Sequence, residues 1–368
     1  MKHNELTRRR FIQMTAASSI AAVAYSAKVF SELTSKKKLG VALVGLGHYS
    51  TDKLAPALQH TQYCELKGIV TGSPEKIPKW QAEYGIEDRN VYNYENMFEI
   101  ANNAEIDVIY VVVPPSLHKK YTLIAANAGK HVWCEKPMSV SESDCLEMID
   151  TCKRNKVSLA IGYRLHHEPI TQQIMQYAKT IPYGKITSLD LASAYYGDVP
   201  TADNWHMKKA MGGGAMYDMG VYAVSGARYA TGMEPLGISA QHTSNRPKSF
   251  IEVDETTHFT MDFPDEVIAN CVASVGLADV NHLRVNCDKG WYQLEPLSDY
   301  VPVRGITSSG VVLDQTVAIE QTKQMDDDAL AIMQNQPLIA PGELAMQDVR
   351  IIEAAFKSAA SNGTRVLL

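Results

Sequence analysis

The sequence predicts an α/β fold, in which an N-terminal, doubly wound parallel sheet precedes a C-terminal α+β part with a large, open, mostly antiparallel sheet. Two patterns predict this fold. Apolar runs alternate with helical patterns in the first half, at 39–45, 65–71, 107–113, 130–134 and 157–162, which is the rhythm of a parallel sheet. Longer strands with alternating polarity follow, at 185–196, 256–263, 267–275 and 282–293. A helix over 214–231 is expected between the two sheets, and a last helix near 343–361.

The first strand runs into the turn Gly45-Leu46-Gly47-His48-Tyr49, and an apolar helical stretch follows. The first glycine of such a turn permits a tight bend, and the second lets backbone N–H groups approach a pyrophosphate at the helix N-terminus. Ser50 replaces the third glycine of the pattern and is small enough for close helix packing. Because the turn stands between a strand and a helix, it predicts a dinucleotide-binding Rossmann domain.

The end of the second strand indicates which dinucleotide is bound. The strand ends in Thr71-Gly72-Ser73, with Lys76 one turn further on. NAD-binding domains usually place a carboxylate here for the ribose 2′-hydroxyl. A hydroxyl, backbone amides and a cation suit a 2′-phosphate instead, so we expect NADP. An ordinary turn with a solvated lysine is the alternative.

Two further segments carry candidate catalytic groups. Lys136, in the run Glu-Lys-Pro, follows a hydrophobic strand at the sheet edge where α/β folds bind ligands. Beside a nicotinamide ring, this lysine can take a proton from a substrate hydroxyl. Asp218 and Tyr222 follow three glycines and are four residues apart, so they share one helix face. A carboxylate and a phenol there can bind a polyol and move a proton. A surface loop at Lys136 and a core-packing role for Tyr222 are the alternatives.

With these motifs in place, the chain resembles the glucose–fructose oxidoreductase family of sugar dehydrogenases from about Lys38 to its C-terminus. The resemblance rests on seven segments, at 45–47, 114–118, 128–137, 161–164, 212–222, 341–343 and 346–350. Tyrosine at position 222, where most of the family has histidine, resembles the member after which the family is named. His206 departs from the arginine that many relatives have after the tryptophan.

The resemblance implies a role for each of these residues. Lys136 would be the catalytic lysine, and Asp218 and Tyr222 would complete the site. Thr71 and Lys76 would lie at the 2′-phosphate. The residues expected to line the nicotinamide half are Tyr94, Ser116, His118 and Glu135. The full set of expected cofactor-binding residues is Gly45, Leu46, Gly47, His48, Tyr49, Thr71, Gly72, Lys76, Tyr94, Pro114, Ser116, His118, Glu135, Lys136, Arg164 and Trp205. The expected substrate-binding residues are Lys136, Trp205, Asp218 and Tyr222, with Trp205 closing over the nicotinamide or the sugar.

The N-terminus is typical of an export signal. Arg8, Arg9 and Arg10 precede Phe11 and a short, mildly apolar stretch at 14–24, which form a basic n-region and an h-region. The paired arginines predict a twin-arginine signal peptide over 1–26, and therefore a partner in the twin-arginine export machinery and a periplasmic or otherwise exported protein. The stretch is too short and too rich in alanine and serine for a stable membrane anchor. A basic tail followed by a helix is the alternative.

We therefore divide the chain into five parts. These are a signal peptide (1–26), an N-terminal arm (27–37), a dinucleotide-binding Rossmann domain (38–161), an α+β domain for substrate binding and oligomerisation (162–341) and a C-terminal helix that packs back on the first domain (342–368). A formal net charge of −6 without a basic stripe argues against a nucleic-acid partner. The six cysteines and the His166-His167-Glu168 run lack the spacing of a zinc site, so we expect no metal. We expect a homo-oligomer, either a dimer or a tetramer.

These features favour an exported sugar oxidoreductase that transfers hydride between C1 of an aldose and tightly bound NADP. Free nicotinamide cofactor is not expected outside the cytoplasm, so the bound cofactor would be re-oxidised by a second sugar at the same site. Two alternatives are a nicotinamide-dependent glycosidase of the same fold and an ordinary NAD(P)-dependent sugar dehydrogenase. A third, a non-catalytic sugar-binding protein, is disfavoured because Lys136, Asp218 and Tyr222 are all present.

Overall fold

Six parallel strands form the first sheet, in the order β3-β2-β1-β4-β5-β6. The strands are β1 (Leu39–Val44), β2 (Cys64–Val70), β3 (Val91–Tyr92), β4 (Val108–Val111), β5 (His131–Cys134) and β6 (Leu159–Ile161). The order reverses between β1 and β4, so a crevice opens beyond the carboxyl ends of these two strands. The structure is a computed structural model that describes residues 38–278 and 280–368; the predicted signal peptide and arm lie outside the described residues.

Alternate residues of the central strands belong to two different hydrophobic cores. In β4, Ile109 and Val111 pack into one core, whereas Val108 and Tyr110 pack into the other, and all four are fully buried. A strand covered on both faces needs a continuous apolar sequence, which is the pattern that predicted this sheet. The helices of this part of the chain are α1 (Ala55–Leu58), α2 (Ile77–Tyr84), α3 (Pro115–Asn127) and α4 (Glu142–Arg154).

Nine strands form the second sheet, in the order β14-β13-β12-β11-β7-β10-β9-β8-β15. They are β7 (Ile186–Ala194), β8 (Gly237–Thr243), β9 (Thr256–Asp262), β10 (Ile268–Ser274), β11 (Asn281–Cys287), β12 (Gly290–Leu294), β13 (Gly305–Thr307), β14 (Val312–Leu313) and β15 (Val366–Leu367). Strands β7 and β10 pair in parallel, and the other neighbouring pairs are antiparallel. The predicted α/β class with a mostly antiparallel second sheet is therefore confirmed.

The second half of the chain contains the helices α5 (Pro169–Thr180), α6 (Val221–Thr231), α7 (Glu320–Gln334) and α8 (Gly342–Ala360). Helices α6 and α8 pack on the second sheet, and α8 also contacts α4 and β6 of the first part. Helix α7 packs on β2 and α1, and its Met325 and Ala329 join a core of the first sheet. Residues 39–368 thus form one compact unit, and the domain boundaries at 161 and 341 stay predictions.

Two elements differ from their sequence patterns. The strand expected over 282–293 is a hairpin of β11 and β12, in which Cys287 pairs with Gly290 across Asp288 and Lys289. The helix expected over 214–231 begins with a π-helical turn at Met216–Gly220 and continues as α6. Apolar periodicity predicts whether a segment is a strand or a helix. It does not reveal a two-residue turn or a π-helical turn, because neither interrupts the polarity pattern.

Candidate active site

A cleft of about 480 Å³ lies beyond the carboxyl ends of β1, β2, β4 and β5. Its opposite wall comes from the second half of the chain, in particular the segment 205–222 and Tyr300. The cleft therefore coincides with the crevice that the strand order creates. Most of the residues that the sequence indicated for the site line this cleft, and four do not.

The two glycines of the turn after β1 have different surroundings. Gly45 has φ +94°, and a Cβ added there would lie 2.3 Å from the carbonyl oxygen of Val112. At Gly47, by contrast, an added Cβ meets no atom of the described residues within 4 Å, so its backbone faces open space in the cleft. The Ser50 hydroxyl donates to the carbonyl oxygen of Gly45 at 2.6 Å and is buried, which closes the turn without a third glycine.

The end of β2 presents two hydroxyls and a cation to the cleft, from Thr71, Ser73 and Lys76. Lys76 Nζ donates to the carbonyl oxygen of Leu46 at 2.8 Å and so ties this turn to the glycine turn. Gly72 does not line the cleft, so the cofactor contact expected from it stays a prediction. A Cβ added there would lie 3.0 Å from the ring of Tyr94, so Gly72 makes room for Tyr94, which lines the cleft as expected.

Lys136, Asp218 and Tyr222 come together at the other end of the cleft. Lys136 follows β5, and its Nζ donates to the backbone oxygen of Asp218 at 2.9 Å and to Oδ1 of the same residue at 3.3 Å. The ammonium also lies 4.5 Å from the ring centroid of Tyr222. Asp218 sits on the π-helical turn and Tyr222 in the first turn of α6. Tyr195 donates from its hydroxyl to Asp218 Oδ2 at 3.3 Å.

The surroundings of Lys136 keep it protonated. Burial lowers the pKa of this lysine, but the phenolic oxygen of Tyr222 and the carboxylate of Asp218 act in the opposite direction, and the pKa is raised above its ordinary value. The side chain is only 16 % exposed. Lys136 is therefore a hydrogen-bond donor in the free protein, and it can accept a proton only after it has passed one on.

Glu135 lies beneath this group and orients the backbone of Lys136. Its Oε1 accepts from the Tyr110 hydroxyl at 2.6 Å and its Oε2 from the backbone N–H of Lys136 at 3.2 Å. Burial raises the pKa of Glu135, and the bond from Tyr110 opposes that rise. A Cβ added at Gly162 would lie 2.5 Å from Glu135 Oε1, so glycine at this position leaves room for the carboxylate.

Arg164 lies behind the cleft and does not line it, and the cofactor contact expected from it stays a prediction. It is 2 % exposed, forms an ion pair with Glu320 of α7 and donates to the carbonyl oxygen of Asp299 at 3.1 Å. Its guanidinium lies 5.8 Å from the ring centroid of Tyr222 and 4.8 Å from that of Tyr300. The buried ion pair supports these two rings from behind.

Ser116 and His118 also lie outside the lining of the cleft, although both were expected at the nicotinamide half. The hydroxyl of Ser116 faces Met211 Sδ at 3.5 Å. His118 is buried, with Nε2 at 2.7 Å from the carbonyl oxygen of Val113 and Nδ1 at 3.0 Å from that of Pro137. His118 thus joins the loop after β4 to the loop that carries Lys136, and its effect on the site is indirect.

One aromatic residue of the site, Tyr300, was not identified from the sequence, whereas Trp205 was. Tyr300 lines the cleft from an irregular segment after β12, with its ring centroid 6.4 Å from that of Tyr49. The rings of Trp205 and His206 stack with centroids 3.7 Å apart, and both line the cleft. No periodicity marks a tyrosine in an irregular segment, so Tyr300 carried no signal beyond its residue type.

The fold and the cleft define a two-part Rossmann oxidoreductase. Residues 39–163 match a family described as an oxidoreductase family with an NAD-binding Rossmann fold, and residues 172–293 match the GFO/IDH/MocA C-terminal domain. The chain belongs to the GFO/IDH/MocA family of oxidoreductases, which confirms the family resemblance and the enzymatic class.

Two relatives illustrate this membership, and a further solved structure shares the fold. An aldose-aldose oxidoreductase from Caulobacter crescentus, in a crystal structure with glycerol, is 32 % identical with a TM-score of 0.83, over 90 % of this chain and 100 % of that chain. A D-xylose 1-dehydrogenase (NADP+) from Haloarcula marismortui is 25 % identical over 330 residues, which are 88 % of this chain and 91 % of that protein. KijD10, a 3-ketoreductase from Actinomadura kijaniata, shares the fold at 18 % identity and a TM-score of 0.76, over 88 % of this chain and 98 % of that chain.

The adjacent histidines at 166 and 167 lie within hydrogen-bond distance of other side chains of the protein. His166 Nε2 lies 2.9 Å from the Ser225 hydroxyl, and His167 Nδ1 lies 3.0 Å from Asp327 Oδ2. Within 38–278 and 280–368, no three His, Cys, Asp or Glu side chains are grouped so that they could hold a metal ion. Among the helices of the same residues, none combines the length and the apolar character that crossing a membrane requires.

The burial of His118 gives a pH-dependent prediction. Burial lowers the pKa of His118 from 6.5 to about 4, so between these values the unfolded chain binds more protons than the folded one. His118 therefore contributes less to stability as the pH falls through this window. In urea denaturation, the stability difference between the wild type and His118→Asn should rise with pH by up to about 1.4 kcal/mol per unit, then level off near pH 6.5. A difference that stays constant throughout would contradict the assignment.

Proposed function

We propose that this chain is an exported, NADP-dependent sugar oxidoreductase that moves hydride between C1 of an aldose and a cofactor that stays bound. A second sugar re-oxidises that cofactor. One observation carries the proposal: the Lys136 ammonium lies 3.3 Å from Asp218 Oδ1 and 4.5 Å from the ring centroid of Tyr222, in the same cleft as the glycine turn. A group that could transfer a proton thus lies in the same cleft as the expected pyrophosphate site, which supports the proposal.

The residues of the cleft fit NADP. The open space over Gly47 accommodates a pyrophosphate next to backbone N–H groups. Thr71, Ser73 and Lys76 supply hydroxyls and a positive charge for a 2′-phosphate. When it is bound, NADP supplies the hydride acceptor for oxidation and, once reduced, the donor for reduction.

The side chains next to the reacting carbon then transfer one proton. In oxidation, the proton of the C1 hydroxyl passes to Lys136 as the ammonium hands one of its own to the Asp218 carboxylate at 3.3 Å. In reduction the same transfer runs in reverse, and the ammonium protonates the new alkoxide. The hydroxyl of Tyr222 holds the sugar oxygen so that C1 is oriented. Trp205 and Tyr300 supply apolar surfaces for the ring of the sugar.

The relatives support the substrate class. The names of the Caulobacter and Haloarcula proteins describe one that acts on two aldoses and one that oxidises D-xylose at C1 with NADP. Since the chain covers at least nine tenths of both proteins, their aldose chemistry is a reasonable basis for the proposal. An ordinary dehydrogenase with exchangeable cofactor is the second candidate, because the Haloarcula relative is named as one.

An exported protein would have to keep its cofactor bound. The twin-arginine motif at Arg8 and Arg9 favours export of an already folded protein. A folded protein can carry its NADP with it, and it must then regenerate that cofactor without a cytoplasmic pool. The homo-oligomer remains a prediction, which sedimentation of the purified protein would test.

The first test concerns the nucleotide itself. Nucleotide released by denaturing the purified wild type should be NADP(H) in stoichiometric amount. Lys76→Ala and Thr71→Asp should each lower this content, because the first removes a charge-assisted bond worth roughly 1.5–3 kcal/mol and the second adds a like charge beside the phosphate. Lys79→Ala is the matched control, since Lys79 is exposed and lies outside the cleft lining. Equal NADP content in all four proteins would place the 2′-phosphate elsewhere.

The second test concerns proton transfer. Lys136→Ala should cut single-turnover reduction of the bound cofactor by aldose by about 10²–10⁴ while the cofactor stays bound. Tyr222→Phe should cause a smaller drop, since it keeps the ring against the ammonium and removes only the hydroxyl. Tyr177→Phe serves as the control, because Tyr177 lies on α5 and outside the cleft lining. Near-normal turnover in either of the first two variants would remove that residue from the mechanism.

The third test concerns the retained cofactor. If NADP stays bound, the lactone must leave before the second sugar enters, and double-reciprocal plots for two sugars should be parallel lines. Each sugar alone should give one burst of cofactor reduction or oxidation, and added NADP should not accelerate steady-state turnover. Intersecting lines, or a requirement for added nucleotide, would indicate the ordinary dehydrogenase.

The fourth test concerns localisation. The full chain, expressed in a bacterium with a twin-arginine pathway, should appear in the periplasmic fraction. The double replacement of Arg8 and Arg9 by lysine should leave it in the cytoplasm at full length, with its NADP content unchanged. The same distribution for both chains would refute export by this route.

A further inference from the structure

A second, smaller cavity meets the cleft at Asp218. Its volume is about 190 Å³, and Asp218 and His206 line both cavities. The remaining wall comes mainly from residues 195–207, together with Phe250 and Val275. The small cavity thus begins at the carboxylate that holds Lys136.

The size of this cavity indicates how it can be used. Pockets that bind a whole ligand usually measure roughly 300–1,000 Å³, so a space of about 190 Å³ is too small for an independent molecule. It is suited to one part of a longer molecule that is anchored in the main cleft of about 480 Å³. A substrate whose reacting carbon lies at Lys136 can extend past Asp218 into this space.

The side chains around the cavity suit a neutral sugar ring. Tyr195 and Phe250 contribute aromatic surfaces, on which the apolar face of a ring can pack. Asn204 contributes an amide, and Asp198 and Asp218 contribute carboxylates, all of which can bind hydroxyl groups. Two carboxylates disfavour an anion in the same space, and therefore disfavour a sugar phosphate or a nucleotide-linked sugar.

A largely buried ion pair holds the wall of the cavity in place. Arg246 Nε donates to Glu255 Oε1 at 2.6 Å, and the other two guanidinium nitrogens donate to the carbonyl oxygens of Gly197 at 2.7 Å and Val275 at 2.8 Å. The guanidinium lies 5.1 Å from the ring centroid of Phe250. Glu255 is 1 % exposed. A buried network with satisfied hydrogen bonds is rigid, so the cavity is pre-formed and needs no substrate to open it.

We propose that this cavity is a subsite for the second sugar ring of a reducing disaccharide whose free C1 end reacts at Lys136. The proposal rests on the proposed function, because the reacting ring occupies the same cleft. The C1 hydride passes to NADP and the C1 hydroxyl proton to the Lys136–Asp218 pair. The product is the lactone of the intact disaccharide, and the glycosidic bond is not broken.

The test compares monosaccharides and disaccharides on the purified protein with its bound nucleotide. D-Glucose and D-xylose are compared with cellobiose and maltose, whose glucose units are joined by β and α links, and cofactor reduction is followed by NADPH absorbance. For the wild type, at least one disaccharide should reduce the cofactor with a second-order rate constant no lower than that of glucose.

Variants then locate the second ring. Asp198→Trp places an indole in the cavity and should lower the disaccharide rate constant roughly tenfold or more, the range that pocket contacts discriminate, while that of glucose is unchanged. Phe250→Ala removes an aromatic surface and should act in the same direction. Asp203→Trp is the matched control, because Asp203 is exposed on the same segment and lines neither cavity.

The outcomes distinguish failure of the subsite proposal from failure of the proposed function. If glucose reduces the cofactor and neither disaccharide does, the subsite is overturned and the proposed function stands. Equal losses for glucose and disaccharide in Asp198→Trp and Phe250→Ala would also overturn it. Failure of every sugar to reduce the cofactor would refute the proposed function and the subsite together.

Discussion

The site depends on one largely buried ammonium group that is shared between the two halves of the chain. Lys136 extends from the edge of the parallel sheet, whereas both of its hydrogen-bond acceptors belong to Asp218 on the π-helical turn before α6. Removing a lysine from water is costly unless its charge is paired. The carbonyl oxygen, the carboxylate and the face of Tyr222 offset that cost together. The pairing therefore also joins the second half of the chain to the first at the site.

A second layer of charges extends this arrangement. Glu135 holds the backbone of Lys136, while Arg164 lies behind Tyr222 and pairs with Glu320 at the start of α7. Helix α7 reaches this position because its apolar face packs on β2 and α1 of the first sheet. Packing of α7 far from the cleft thus positions Glu320 beside Arg164. Arg164 in turn supports the ring of Tyr222.

The sequence predicted those parts of the structure that are local. Continuous apolar strands and the Gly45–Gly47 turn specified the parallel sheet and its crevice, and the spacing of Asp218 and Tyr222 specified a shared helix face. The contributions of Tyr300, Tyr195 and α7 depend on how distant segments pack, which periodicity does not encode. The resemblance predicts His118 and Arg164 at the cofactor because it conveys position along the chain, whereas the structure buries both side chains outside the cleft lining.

The Lys136–Asp218 pair also bears on how a two-sugar cycle can close. Under the proposed function, the proton that leaves the first sugar would stay on this pair until the second sugar is reduced. The second sugar would then take up that proton, so the site would return to its starting protonation state after each cycle. Lys136 Nζ and Asp218 Oδ1 are 3.3 Å apart, which is close enough for a proton to pass between them. The same geometry that keeps Lys136 protonated in the free protein thus prepares it to donate to the sugar that is reduced.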